Sequence, residues 1–137
     1  MRHLTCLLTV FLLPILMFAD ENAALLGVFW SPDKDGKIEF YEKGGKIFGR
    51  TVWSRNPEMR DTKNPDPAQK DRILIGTDCF LGLKADDDEW KGQIYNALDG
   101  KTYQCVAWLV DGGQTLKVRG YIGIPLLGQT VEFERIE

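Results

Sequence analysis

Short segments of alternating apolar and polar residues recur along the chain, and turn-forming residues separate them. In the clearest segment, Leu116 and Val118 alternate with Lys117 and Arg119. A period of two places successive side chains on opposite faces of a β-strand, whereas an amphipathic helix needs a period near 3.6. No amphipathic helix longer than two turns is visible in the sequence. The pattern therefore predicts an all-β fold.

The alternation divides the chain into eight predicted strands. They are Leu25–Trp30, Lys37–Lys43, Lys46–Ser54, Arg72–Leu83, Glu89–Tyr95, Thr102–Val110, Thr115–Ile122 and Gln129–Ile136. Glycine-containing dipeptides at 35–36, 44–45, 99–100 and 112–113 supply the positive φ that tight hairpins need. Eight strands joined in sequence order predict an antiparallel up-and-down barrel, which has no exposed sheet edge.

One connection, between the third and fourth predicted strands, is much longer than a hairpin turn. It runs from Arg55 to Asp71 and is polar, with three prolines. Asp66 followed by Pro67 predicts an N-cap and one helical turn within it. A loop of this length in a small domain is either a lid or rim of a binding site, or a structural strap.

The first 19 residues have the layout of a secretory signal peptide. Basic Arg2 precedes an apolar run from Leu4 to Phe18, and Ala19 offers a small residue for cleavage. The prediction is a cleaved leader, 1–19, and a single domain, 20–137, that is periplasmic or secreted. Met17 is large for the −3 position of a cleavage site, which leaves an uncleaved anchor as the alternative. Nothing later in the chain is hydrophobic enough to span a bilayer.

Charge and histidine content exclude several functions. The full chain has 17 basic and 20 acidic residues, a net charge of −3, which gives no electrostatic footprint for nucleic acid. The single histidine, His3, lies in the leader. A mature chain without imidazole has no Ser-His-Asp or Cys-His catalytic system and no histidine-ligated metal. We predict no cofactor and no catalytic residues, and any chemistry would rest on carboxylates, lysine, tyrosine or cysteine.

Two acidic motifs resemble cation sites. The segment from Ser31 to Glu42 nearly matches the oxygen-ligand spacing of an EF-hand loop, but strand patterns replace the flanking helices. A hairpin turn at 35–36 is the favoured interpretation. The run from Asp86 to Glu89 is either a cation site or a solvated hairpin tip, and the second is favoured. We predict no metal site.

Cys79 and Cys105 are the cysteines that follow the leader. An even number in an oxidising compartment permits a disulfide. In the predicted topology a whole strand separates them, which places their Cα atoms about 9–10 Å apart and beyond disulfide reach. Two free, buried thiols are the favoured interpretation.

Aromatic residues suggest a small-molecule site in the barrel. Side chains of this type that line a pocket, with a few polar groups, are typical of ligand sites, although they can equally fill a small barrel. The candidate ligand-binding residues are Trp53, Asp61, Asn64, Trp90, Tyr95, Tyr103, Trp108 and Arg119. Asp61 and Asn64 would supply polar groups from the loop. Arg119 would either hold an anionic head group or face solvent.

Several motifs together resemble the bacterial exported family known as domain of unknown function 2147. They are Gly27–Trp30, Asp35–Tyr41, Gly44–Arg50, Asp61–Pro67, Trp90–Tyr95, Asp99–Tyr103, Val118–Gly123 and Leu127–Thr130. The ending departs from the pattern, because Glu132–Arg135 stands where the family has a tryptophan-containing segment. The resemblance implies a lipocalin-like barrel, related to the calycins, in the bacterial envelope. It implies no activity or ligand, so no functional residues carry over.

Three functions remain open. The first is binding of a small, mostly apolar or amphiphilic ligand in the barrel mouth. The second is a non-enzymatic protein with a filled barrel that docks an envelope partner, which predicts no cavity and an apolar patch outside. The third is hydrolysis of envelope carbohydrate, which predicts two carboxyl groups roughly 5–10 Å apart, one with a raised pKa.

Overall fold

A computed structural model describes residues 9–10, 21–123 and 128–137. The predicted signal peptide and its cleavage site near Ala19 lie outside the described residues, apart from Thr9 and Val10. Within the described ranges, no helix is long and apolar enough to cross a membrane.

Eight antiparallel strands form a closed barrel, which confirms the predicted fold class. The strands are β1 (Gly27–Trp30), β2 (Gly36–Lys43), β3 (Lys46–Ser54), β4 (Asp78–Asp86), β5 (Glu89–Asn96), β6 (Lys101–Val110), β7 (Thr115–Tyr121) and β8 (Gln129–Arg135). Each strand pairs with the next, and β8 pairs with β1 to close the ring. Three short 3-10 helices, Glu21–Ala24, Pro67–Gln69 and Asp111–Gly113, complete the described secondary structure.

The up-and-down order sorts the connections between the two ends of the barrel. The β1–β2, β3–β4, β5–β6 and β7–β8 connections lie at one end, which we call the open end. The three remaining hairpins lie at the other, which we call the sealed end. The first 3-10 helix and the C-terminal residues are also at the sealed end, since β1 begins and β8 finishes there.

The fourth strand begins six residues later than predicted. The apolar run from Ile73 to Ile75 looks like part of a strand in the sequence, but it belongs to the long loop. Gly76 has φ +90°, and the Thr77 hydroxyl donates to the Leu74 carbonyl at 2.7 Å, so the chain turns here. The structure therefore corrects the predicted strand Arg72–Leu83 to Asp78–Asp86.

The middle of the barrel is filled by phenylalanine. Ring contacts run from Phe29 to Phe40 at 5.4 Å, from Phe40 to Phe80 at 4.9 Å and from Phe80 to Phe133 at 5.5 Å. Gly49 on β3 faces these rings, and a methyl group placed there would lie 2.9 Å from Phe80 and 3.0 Å from Phe40. The rings therefore pack directly against the backbone of β3.

The first 3-10 helix covers the sealed end. The Asn22 side chain donates to the Gly45 carbonyl at 3.1 Å and accepts from the indole N–H of Trp90 at 3.1 Å. Arg135 donates to the carbonyls of Ala24 and Leu26 at 2.6 and 2.7 Å. Below the helix, a fully or almost fully buried layer fills the interior; it consists of Leu25, Ile47, Leu83, Trp90, Ala107 and Leu116.

The cysteines follow the favoured arrangement in part. Cys79 on β4 and Cys105 on β6 are both free thiols with β5 between their strands, but Cys105 is buried whereas Cys79 is half-buried. Burial raises the pKa of each thiol to about 12. Ser31 and Asp35 belong to the turn between β1 and β2, and the acidic run at 86–89 spans the β4–β5 hairpin.

Candidate ligand cavity

The interior opens into a cavity of about 750 Å³ at the open end. Phe80 and Phe133 line its deep part, so the phenylalanine cluster separates it from the filled half. The walls are mainly apolar side chains from five strands, among them Ile38, Phe80, Ile94, Val118, Val131 and Phe133. A concave, largely apolar space of this size matches the sites that take small molecules.

The long loop forms part of the cavity wall. Met59, Leu74 and Thr77 of the loop line the cavity alongside the strands. The predicted helical turn is present at Pro67–Gln69, with the Asp66 carboxylate accepting from the Ala68 N–H at 3.0 Å. The loop is thus part of the rim of the cavity and also a structural element with its own hydrogen bonds, so it has features of both predicted roles.

Asp61 anchors this loop and lies fully buried beneath it. Its carboxylate accepts hydrogen bonds from Tyr95 Oη at 2.6 Å, Asn64 Nδ2 at 2.8 Å and Arg72 Nε at 2.9 Å. Asn64 Oδ1 in turn accepts from the Asp66 N–H at 2.8 Å. A carboxylate with three donors fixes the loop to β5, because Tyr95 belongs to that strand.

The same contacts shift two pKa values in opposite directions. Burial alone would raise the pKa of Asp61, but hydrogen bonds from Tyr95, Asn64 and Arg72 outweigh it, and the net pKa is lowered. Burial and the bond to Asp61 raise the pKa of Tyr95 to about 12. At neutral pH Asp61 is therefore ionised and Tyr95 is a neutral donor.

Two carboxylates stand at the mouth with defined partners. Asp35 accepts from the Ser31 hydroxyl at 2.7 Å, and the same hydroxyl accepts from the Gly36 N–H at 2.9 Å. Asp99 accepts from the Tyr103 hydroxyl and from the Lys101 N–H. The bond from Tyr103 lowers the pKa of Asp99, and the same bond raises the pKa of Tyr103. All of these residues except Lys101 line the cavity.

Of the eight candidate residues, the structure brings Tyr95 and Tyr103 to the cavity. Asp61 and Asn64 do not line it. Their polar atoms are used in the loop anchor, so they position the wall instead of presenting groups to a ligand. Trp90 lies in the sealed half, where its indole N–H is bonded to Asn22.

The other three candidates lie on the outer surface of the barrel. Trp108 and Arg119 alternate along their strands with Ala107 and Val118, which face the interior. Arg119 Nη1 donates to the Thr130 hydroxyl on β8 at 3.0 Å. Trp53 packs against Trp30 with ring centroids 5.9 Å apart and is 40% exposed.

The sequence reasoning missed several residues of the mouth. Leu98 and Ile122 line it and are 73% and 68% exposed, in the β5–β6 turn and after β7. Gly120 faces the cavity, and a methyl group there would meet nothing closer than 3.8 Å. The phase of alternation in β7 could have found Gly120, since it shares a face with Leu116 and Val118. No local signal distinguishes Leu98 from an ordinary exposed turn residue.

Comparisons with known proteins agree with the architecture. The chain is similar in structure to protein HP1028 from Helicobacter pylori, which is described as belonging to the lipocalin family. The TM-score is 0.73, with 24% identity over 82% of this chain and 83% of that one. This likeness shows the lipocalin fold.

No curated protein matches the chain. The family model described as an uncharacterized protein conserved in bacteria, DUF2147, matches residues 27–135. The chain therefore belongs to the DUF2147 family.

Proposed function

We propose that this protein binds a small, mostly apolar molecule in the cavity at the open end of the barrel. The observation that carries the proposal is the cavity itself, about 750 Å³ with mainly apolar walls above a closed phenylalanine floor. Burial of apolar surface supplies most of the affinity of such sites, at about 25 cal/mol per Å² before the costs of association.

Two structural findings favour this function over the alternatives. A filled barrel predicts no cavity, whereas here only the sealed half is filled. A carboxylate-based hydrolase needs a general acid with a raised pKa. Asp99, at the mouth, has its pKa shifted in the opposite direction by the hydrogen bond from Tyr103.

A cavity-filling substitution tests the proposal. Gly120 faces the cavity with free space beyond it, so Gly120→Leu fills the site without a backbone clash. Gln104→Leu is the matched control, because Gln104 is exposed on the neighbouring strand β6. The measurement is fluorescence titration with the neutral apolar dye N-phenyl-1-naphthylamine.

We expect one saturable site in the wild-type protein and in Gln104→Leu, and affinity at least about tenfold weaker in Gly120→Leu. Absence of saturable binding, or equal binding by Gly120→Leu, would contradict the proposal. If the dye binds as expected, native mass spectrometry of protein purified from its own cells would identify the mass of any natural ligand.

The proposed site of action is the periplasm, after removal of residues 1–19. Three features of the sequence support this proposal: basic Arg2 at the start, the apolar run from Leu4 to Phe18, and the small residue Ala19 at the predicted cleavage site. The intact mass of protein from a periplasmic extract tests this proposal. A chain beginning at Asp20 is expected, and recovery of the full-length chain in the membrane fraction would favour the uncleaved anchor.

A further inference from the structure

The open end carries a charge pattern that restricts the ligand. Asp35 lies in the β1–β2 connection and Asp99 in the β5–β6 turn, and both line the cavity. In a ring of eight strands these two connections are four strands apart. The carboxylates therefore stand on opposite sides of the mouth.

Each carboxylate is held by neighbouring donors. The Ser31 hydroxyl donates to Asp35, and it is itself fixed by the Gly36 N–H. Asp99 is held by the Lys101 N–H at 2.9 Å and by the hydroxyl of Tyr103. These bonds orient the two carboxylates, and because the donors are neutral they do not cancel the negative charge.

Basic side chains do not offset this charge inside the cavity. Among the described residues that line it there is no lysine, arginine or histidine. Arg60 donates to the Asp71 carbonyl and Arg72 to Asp61, whereas Arg55 donates to the Lys34 carbonyl beside Asp35 but does not line the cavity. Arg119, which the sequence suggested as a partner for an anionic head group, lies on the outer surface.

Two further groups bear on the charge of the mouth. Asp78 lines the cavity wall, but its carboxylate accepts from the Tyr41 hydroxyl at 2.6 Å on the outer face and so adds no charge to the mouth. The aromatic ring of Tyr103 stands beside Asp99 on the wall of the mouth. An aromatic ring next to a carboxylate favours a cation, because the π-face carries partial negative charge.

We propose that the cavity selects an apolar molecule with a cationic group, such as a protonated amine, and rejects fatty acids and other anionic amphiphiles. This inference rests on the proposed function and names its ligand class. The apolar part would fill the space above Phe80 and Phe133. The cationic group would lie at the mouth between Asp35 and Asp99, where it attracts both carboxylates without losing contact with water.

Matched surfactants of opposite charge test the inference. Decyltrimethylammonium and decanoate have similar alkyl chains, and each is used to displace N-phenyl-1-naphthylamine below its micelle concentration. We expect the cation to displace the dye at about tenfold lower concentration than the anion, since two exposed charges each attract one ion and repel the other. Added salt is expected to reduce the difference.

The double variant Asp35→Asn/Asp99→Asn removes both charges while keeping the shape of the side chains. We expect it to reduce the preference to about twofold or less. The control is Asp87→Asn/Asp88→Asn, which makes the same change in net charge in the β4–β5 turn at the sealed end. It is expected to keep the tenfold preference.

The outcomes separate the two proposals. Equal displacement by both surfactants, a preference for decanoate, or loss of the preference in the control variant would overturn the charge inference alone. Failure of the dye itself to bind would contradict the proposed function, and the charge inference with it.

Discussion

The two halves of this barrel are built from the same eight strands, yet one has a filled interior and the other encloses a cavity. In the sealed half, a buried apolar layer and a cluster of phenylalanines fill the interior, and Asn22 and Arg135 close the end with hydrogen bonds. In the open half, the walls stop short of one another and enclose about 750 Å³. The comparison teaches that stability and ligand binding are assigned to different ends of one fold.

The largest expected effect is a difference in the loss of unfolding free energy between two isoleucine substitutions, one in each half of the barrel. Ile47 is fully buried in the sealed half, whereas Ile94 lines the cavity. We expect Ile47→Ala to lower the free energy of unfolding by about 3–4 kcal/mol, because it leaves a void among packed atoms. Ile94→Ala is expected to cost about 1–2 kcal/mol, since one side of Ile94 already has no packing partner.

Urea unfolding of the two variants measures this difference. Equal losses would show that the open half is packed as tightly as the sealed half, and the comparison between the halves would fail.

A second test concerns the buried Asp61 carboxylate, which fixes the long loop to β5 at the open end. Asp61→Asn removes the charge that accepts from Tyr95, Asn64 and Arg72, and we expect a loss of about 2–3 kcal/mol at pH 7. Asp66→Asn is the matched control in the same loop. Asparagine also caps a helical turn, so that change is expected to stay within about 0.5 kcal/mol.

The loss at Asp61 depends on pH. The pKa of Asp61 is lowered in the folded protein, so its contribution to stability is present above the unfolded-state pKa of about 3.9. It disappears as the pH falls through the folded-state value. The difference between wild type and Asp61→Asn should therefore shrink below about pH 4, and a constant difference would contradict the ionised anchor.

The smallest effect is expected at the cover of the sealed end. Asn22→Ala removes the acceptor of the Trp90 indole N–H and the donor to the Gly45 carbonyl, at an expected cost of about 1–2 kcal/mol. Exposed Glu21→Ala serves as the control. Affinity for N-phenyl-1-naphthylamine should not change in Asn22→Ala. A loss of binding would show that the two ends are coupled.

The architecture was accessible from sequence because alternation and glycine turns are local signals. The boundaries of β3 match the prediction, and the other strands apart from β4 agree to within a few residues. The start of β4 was not accessible, because Ile73, Leu74 and Ile75 carry the composition of a strand. Their turn depends on contacts with distant Thr51, whose carbonyl accepts from the Gly76 N–H at 2.7 Å.

The site was less predictable than the fold. Both faces of β6 carry apolar residues, so alternation does not say which one is inside, and Trp108 could be assigned to the cavity. In β7 the alternation places Arg119 on the face opposite Leu116 and Val118, so its assignment to the cavity went against the pattern. The sequence predicts Asp61 as a polar group for the ligand, but in the structure its carboxylate holds the loop, and this role depends on Tyr95, 34 residues away in the chain. Such partnerships arise only when the loop has folded onto β5, and no local pattern encodes them.

The closure of the barrel has a consequence for the connectivity of the chain. The β1–β8 ladder contains two residue pairs, and it is extended by bonds from the Val28 N–H to the Glu137 carbonyl and from the Ile136 N–H to the Val28 carbonyl, both 2.8 Å. The beginning of the domain and its C-terminus are therefore neighbours. Joined by a short linker and cut instead between Asp87 and Asp88, the same sequence would form a circular permutant that retains every strand pairing and the intact mouth.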